Sequence, residues 1–166
     1  IRRLYELGHR RIAYVGEPLT EGKREKTEQL LRDFGIAAYP ELMICSRCRF
    51  AEAGKDGAKK LLALEDRPTA ILGAYGYITQ GILAELEENG VLVPEDISVV
   101  SIGDDPLPLH PSLDVSYISS MTDEVCCEVM NILKARIRSK KPNAFQRIEI
   151  LPDFYEGRTI SKAIEK

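Results

Sequence analysis

The chain is poor in the residues and segments that most often announce chemistry. It has two histidines, His9 and His110, and neither has an evident partner in the sequence. No histidine pair at metal-binding spacing, no glycine-rich phosphate loop and no nucleophile elbow occurs, so the enzyme classes built on those devices are excluded and neither metal nor cofactor is expected. No apolar run approaches the roughly 20 residues needed to cross a bilayer. Four cysteines, Cys45-x-x-Cys48 and the adjacent Cys126-Cys127, are too few for a disulfide scaffold in a chain of 166 residues. Unpaired thiols of this kind point to a reducing, cytoplasmic compartment. A redox dithiol wants its first cysteine at a helix amino terminus, whereas Cys45 closes an apolar run with loop after it. Zinc would need two further ligands, and Cys126-Cys127 lie on a separate helical pattern. Bulk positive charge is lacking too. The formal charge is −3, and the basic clusters at Arg10-Arg11 and residues 136–141 are short, which excludes this chain as the reader of nucleic acid. It opens at Ile1 with no signal-like segment, already inside an amphipathic pattern, and an amino-terminal portion outside it is expected.

What is present is the composition of a globular domain, 44% hydrophobic and 30% charged. A chain of this length buries about 70% of its extended surface and supports a real core. The organising stretch is GVLVPEDISVVSIGDD, residues 90–105. Asn89-Gly90 ends a helix, Pro94 cannot continue one, and residues 97–102 form a β-branched run with little polar alternation. That pattern predicts a strand covered on both faces, as in a parallel sheet between helices. Asp104 and Asp105 follow just past its carboxyl end, where open α/β sheets bind ligands. Capping of the turn ahead of Pro106 is the other reading of these two carboxylates.

The rest of the chain supplies neighbours for this strand. A short helix over residues 1–7 stops at Gly8, and 12–16 reads as a strand, with His9 bonded to backbone in the turn between. A loop over 17–22 precedes a helix over 23–34 with Gly35 as its cap. Residues 42–45 read as a strand, 46–52 as loop and 54–64 as helix. Arg67-Pro68 breaks the chain before a strand over 69–74, and Tyr75-Gly76 turns into a helix over 77–88. Strands and helices recurring at intervals of roughly 25 to 30 residues predict an α/β fold, a doubly wound parallel sheet flanked by helices. After Asp105 the character changes. Pro106, Pro108 and Pro111 make an irregular passage. A short strand over 115–118 carries Tyr117 as core, and a helix over 122–138 has Val125, Val129, Ile132, Leu133 and Ile137 in one stripe. Residues 147–151 alternate towards a last strand, and 153–166 read as a polar tail.

Several of these segments carry a resemblance. LGHRRIAYVG (7–16) is similar to the LGHRRIAFIGG signature of the lactose-repressor/galactose-repressor (LacI/GalR) family, and PTAI (68–71) resembles the start of its PTAIFAAND segment. Residues 90–104 resemble GxxVPEDISVVGFDD. Pro111-x-Leu113 is similar to PxLTTV and Gly157-Arg158-Thr159 to the closing R-x-S/T. The motifs keep the family's order and spacing to about Arg158. The resemblance implies the effector-binding core of a bacterial transcription regulator, built of two periplasmic-binding-protein-like α/β lobes. Residues 1–112 would be the second lobe, 113–142 a strand and helix crossing to the first, 143–158 a return, and 159–166 a polar tail. The DNA-binding domain and most of the first lobe would lie outside the chain.

The resemblance also assigns ligand contacts, with departures. The family arginine ahead of the second helix falls on Lys23, which keeps the charge but not the planar fork that grips vicinal hydroxyls. An exposed lysine there is otherwise ordinary. The loop aromatic that stacks on a sugar face falls on Phe50, which could equally lid the core. The Asn-Asp pair after the third strand is replaced by Tyr75-Gly76, and Tyr75 stands where side chains face the crevice. The first Asp after the fourth strand is replaced by Gly103, leaving Asp104. The ligand-binding residues expected are therefore Lys23, Phe50, Tyr75 and Asp104. The function implied is sensing of a small, sugar-like molecule by a homodimer that relays the state to DNA-binding domains by population shift. A periplasmic solute-binding protein of a sugar transporter shares the fold, though the unpaired thiols and the VPEDISVVS segment argue against it. A doubly wound enzyme is the weaker alternative.

Overall fold

A computed structural model describes residues 1–103, 112–138 and 145–164. Asp104, Asp105, His110 and the three prolines between 106 and 111 lie outside the described residues. The elements are α1 (Arg2–Glu6), β1 (Ile12–Gly16), α2 (Glu21–Asp33), β2 (Met43–Cys45), α3 (Phe50–Leu62), β3 (Ala70–Gly73), α4 (Gly76–Glu88), β4 (Ser98–Ile102), β5 (Ser116–Ile118), α5 (Thr122–Arg138) and β6 (Phe154–Tyr155), with 3₁₀ turns at Pro18–Thr20 and Pro40–Leu42.

They form one six-stranded sheet in the order β2-β1-β3-β4-β5-β6. The first five strands are parallel, and Met43, Tyr14, Leu72, Val100 and Ser116 align in one row across them. Only β6 runs antiparallel, so the sheet is mixed at its edge rather than parallel throughout. All residues of β1 and β3 are buried, as their unbroken apolar runs predict for strands covered on both faces. Tyr14, Leu72 and Val100 face the α1–α2 side, where the Tyr14 hydroxyl donates to Thr20 O at 2.9 Å. Val15 and Ser101 face α3 and α4, where Thr79 Oγ1 meets Ser101 Oγ at 3.0 Å. α3 and α4 touch backbone to backbone through Gly54 and Gly81. A Cβ at the first would strike the Ile78 carbonyl, and one at the second the Ala51 carbonyl.

Several expectations change. The last strand is Phe154–Tyr155, not residues 147–151, which have no regular structure. Its position is set by pairing with β5 and by Tyr155 stacking on Tyr117 at 5.0 Å, and that makes Tyr117 half-buried rather than core. α3 begins at Phe50, earlier than the helix predicted from residue 54, which removes Phe50 from the loop. α5 forms over the predicted residues but buries none of them, so its apolar stripe is exposed.

The amino ends of the strands are fastened by the carboxyl-terminal residues. Thr159, which polarity alone would place in a tail, is fully buried. Its hydroxyl donates to Val99 O at 2.7 Å and accepts the Ser116 N–H at 2.9 Å, while its carbonyl accepts the Val99 N–H. His9 is buried between Thr69 and Ser161. The Ser161 carbonyl can only accept, so Nε2 carries the proton and Nδ1 accepts from the Thr69 hydroxyl. Burial is the main force pushing the His9 pKa below its usual value, with the Arg10 charge adding to it against the opposing Ser161 bond.

Candidate functional site

The carboxyl ends of β1 to β4 lie along one edge of the sheet, and each hands the chain to a residue placed over that edge: Glu17, Ser46, Tyr75 (after Ala74) and Gly103. α2, α3 and α4 all begin here, so three helix amino termini with their partial positive charge border it.

Lys23, in the first turns of α2, reaches across this edge. Its Nζ donates to Ala74 O at 2.8 Å and Ile102 O at 3.1 Å, joining the ends of β3 and β4. Gly103 holds φ +86°, a conformation suited to glycine, and a Cβ there would sit 3.5 Å from Lys23 Nζ and 3.7 Å from Ser120 Oγ. Gly103 thus stands in a left-handed turn where the resemblance places an aspartate, next to the Ile102 carbonyl that the lysine reaches.

Phe50 opens α3 with φ +54°, an uncommon value for a bulky residue. Its ring is 50% exposed and meets Tyr77, 48% exposed, edge to face at 5.9 Å. The Arg49 guanidinium lies over the Phe50 ring, 4.8 Å from its centroid. Tyr75 is extended and half-buried. Its hydroxyl is buried without a hydrogen-bond partner among the described residues, and burial together with the nearby Glu17 carboxylate pushes its pKa up.

Glu17 is the residue that sequence reasoning missed. Its side chain is 3% exposed, and Arg49 Nε approaches Oε2 at 3.4 Å while the Phe50 N–H donates to the same oxygen at 3.3 Å. Burial raises its pKa, but Arg49, Tyr75 and the Phe50 amide outweigh that and hold it below the ordinary glutamate value. The signal was available. A carboxylate just past a strand's carboxyl end singled out Asp104, and the same rule applies to Glu17 after β1.

Lys23, Phe50 and Tyr75 therefore share one edge, with Phe50 and Tyr75 both against Glu17, while Asp104 lies outside the described residues. The thiols do not add chemistry. Cys45 donates to Glu21 at 3.1 Å, and burial with this carboxylate pushes its pKa up to about 11, the reverse of an activated thiol. Cys48, Cys126 and Cys127 are exposed, and all four are free.

A charged group, two exposed aromatic rings and a buried carboxylate are thus gathered at the carboxyl ends of a largely parallel sheet, the place where open α/β sheets bind ligands. The chain belongs to the periplasmic binding protein-like domain family, whose profile matches residues 1–160. The HTH-type transcriptional repressor CytR of Escherichia coli (strain K12) is 27% identical over 149 residues, covering 87% of this chain and 43% of that protein. The chain thus spans less than half the length of this relative. A putative LacI transcriptional regulator from Bacillus cereus subsp. cytotoxis matches in structure with a TM-score of 0.82 at 24% identity, over 98% of this chain and 58% of that one. The transcriptional regulator CelR in complex with cellobiose matches with a TM-score of 0.79 at 21% identity, over 95% of this chain and 49% of that one. These two likenesses establish the fold. The resemblance to LacI/GalR regulators read from the motifs is the one the comparisons return. No described helix is long and apolar enough to cross a membrane.

Proposed function

We propose that this chain is the greater part of an effector-binding core of a LacI/GalR-type transcription regulator. In this reading it senses a small sugar-like molecule at the carboxyl edge of its sheet. The observation that carries the proposal is the convergence of Lys23, Phe50 and Tyr75 on that edge, contributed by three separate elements. The named relatives are a repressor and regulators, one of them in complex with cellobiose, which supports the sensor role and the ligand class. Exposed rings of the Phe50 and Tyr77 kind suit the apolar face of a sugar, and polar groups beside them suit its hydroxyls. Asp104 is assigned to the same contact set.

In this reading residues 1–112 are one lobe, and the strand and helix over 113–142 cross to another lobe outside the chain, which the exposed apolar stripe of α5 favours. A bound effector selects one closure angle between the lobes, and a homodimer passes that preference to DNA-binding domains. The protein acts in the cytoplasm and performs no covalent step, in keeping with the unactivated Cys45 thiol.

A thermal-shift screen of the full-length protein against sugars, sugar phosphates, nucleobases and amino acids tests this. A ligand that binds only the folded state stabilises it by about 2.7 kcal/mol at a hundredfold excess over its dissociation constant. A hit from the sugar classes that is diminished by Tyr75→Ala is expected. No hit across the panel, or a hit that Tyr75→Ala and Lys23→Ala leave unchanged, overturns the assignment of this edge.

A further inference from the structure

We propose that Glu17 is a positioning residue that sets the start of α3 and with it the ligand-facing ring of Phe50. The proposal rests on the effector reading only in taking that ring as ligand-facing.

The argument starts from the amino terminus of α3. Arg49, its N-cap, is extended and supplies no side-chain cap, so the first N–H groups of the helix need an acceptor from elsewhere. Glu17 supplies it from the end of β1, since its carboxylate accepts the Phe50 N–H at 3.3 Å and brings negative charge to the positive end of the helix. The same carboxylate takes the Arg49 guanidinium through both Nε and Nη2 at 3.4 Å. Arg49 in turn lies over the Phe50 ring. Phe50 sits at φ +54°, a conformation that persists in a non-glycine residue only when its surroundings over-determine it. The surroundings are Glu17 on the backbone side and Arg49 and Tyr77 on the ring side.

Tyr75 borders the same carboxylate from another element, and each group shifts the pKa of the other. Glu17 itself is 2% exposed and is therefore screened from direct ligand contact. It acts through its neighbours. The contacts of its carboxylate with Arg49 and the Phe50 amide are 3.3–3.4 Å long, at the loose end of hydrogen bonding, so the corner is held but not clamped.

The chain contains no tryptophan, so Phe50→Trp installs a single tryptophan at this corner, excited selectively at the red edge away from the tyrosines. The experiment compares Phe50→Trp alone with the doubles carrying Glu17→Gln and Glu17→Ala. It reads acrylamide quenching and anisotropy of the tryptophan, with far-ultraviolet circular dichroism and urea unfolding reading the fold separately. Loss of a hydrogen bond to a charged acceptor is expected to raise the population of the released corner by roughly tenfold, seen as stronger quenching and lower anisotropy in Glu17→Ala. Glu17→Gln keeps an acceptor for the amide but gives up the charge that holds Arg49, and its signal should fall between the two. A merely structural Glu17 would lower the urea midpoint and leave the tryptophan signal of the folded protein unchanged, which overturns the proposal. Should Glu17→Ala fail to fold, the Glu17→Gln double decides alone, and a signal equal to that of Phe50→Trp overturns it. No ligand is added, so a failed effector screen and a failed positioning role are distinguished.

Discussion

The two edges of this sheet are built to opposite standards. At the amino edge the polar groups that fasten the carboxyl-terminal residues are matched. His9 spans Thr69 and Ser161, Thr159 both donates and accepts, and the carboxyl-terminal residues lie along the strand starts with bonds of 2.7–3.0 Å. At the carboxyl edge a bulky residue holds a positive φ, a tyrosine hydroxyl is buried without a bond, a buried carboxylate is held by contacts of 3.3–3.4 Å, and two rings face outward. Unmet polar groups and backbone strain reduce stability, and in the proposed reading a ligand completes them. The contrast then separates the edge that holds the sheet together from the edge proposed to bind the effector.

The contrast can be broken most forcefully at Thr159. Thr159→Val keeps the volume but leaves the buried Ser116 N–H and Val99 carbonyl each short of a partner. It should cost about 2 kcal/mol in urea unfolding. A cost near zero would mean the amino edge is not the stabilising one. His9 offers a smaller effect through pH. Its folded pKa is lowered, so the unfolded chain binds the proton more readily. Its contribution is complete above the unfolded value near 6.5 and falls away as pH drops through that value towards the lower, folded one. Urea midpoints should therefore fall between pH 7.5 and 5.5, and His9→Asn should flatten that slope. The smallest effect is expected at the other edge. Tyr75→Phe removes a buried hydroxyl with no close bond among the described residues, so stability should change by less than about 1 kcal/mol while effector binding weakens. Clear destabilisation would show that the hydroxyl is satisfied after all and would blur the distinction between the edges.

Much of the body was legible in the sequence because its strands are covered on both faces. The unbroken apolar runs ending at Gly16 and Gly73 and the β-branched run ending at Ile102 admit little but a buried parallel strand, and each falls within a residue or two of its expected place. Elements fixed by long-range partners were not legible. Phe154–Tyr155 is two residues long and exists as a strand because β5 lies beside it. The early start of α3 depends on Glu17, more than thirty residues upstream, accepting the Phe50 N–H. Of the candidate site, position along the edge could be read from strand ends, whereas burial could not. Glu17 reads as a solvated loop acid until Arg49 and Phe50 close over it.

The glycine contact between α3 and α4 has a mechanical consequence. Where Gly54 and Gly81 bring two backbones together, no side chain lies between the helices to slide or change rotamer. Tightly packed interfaces of this kind pass displacement on rather than absorb it. Phe50 at the start of α3 leans on Tyr77 in the first turn of α4, and at the far end Lys55 and Lys59 pair with Glu88 and Glu85. The two helices form a single stiff lever with the exposed rings at one end and its ion pairs at the other.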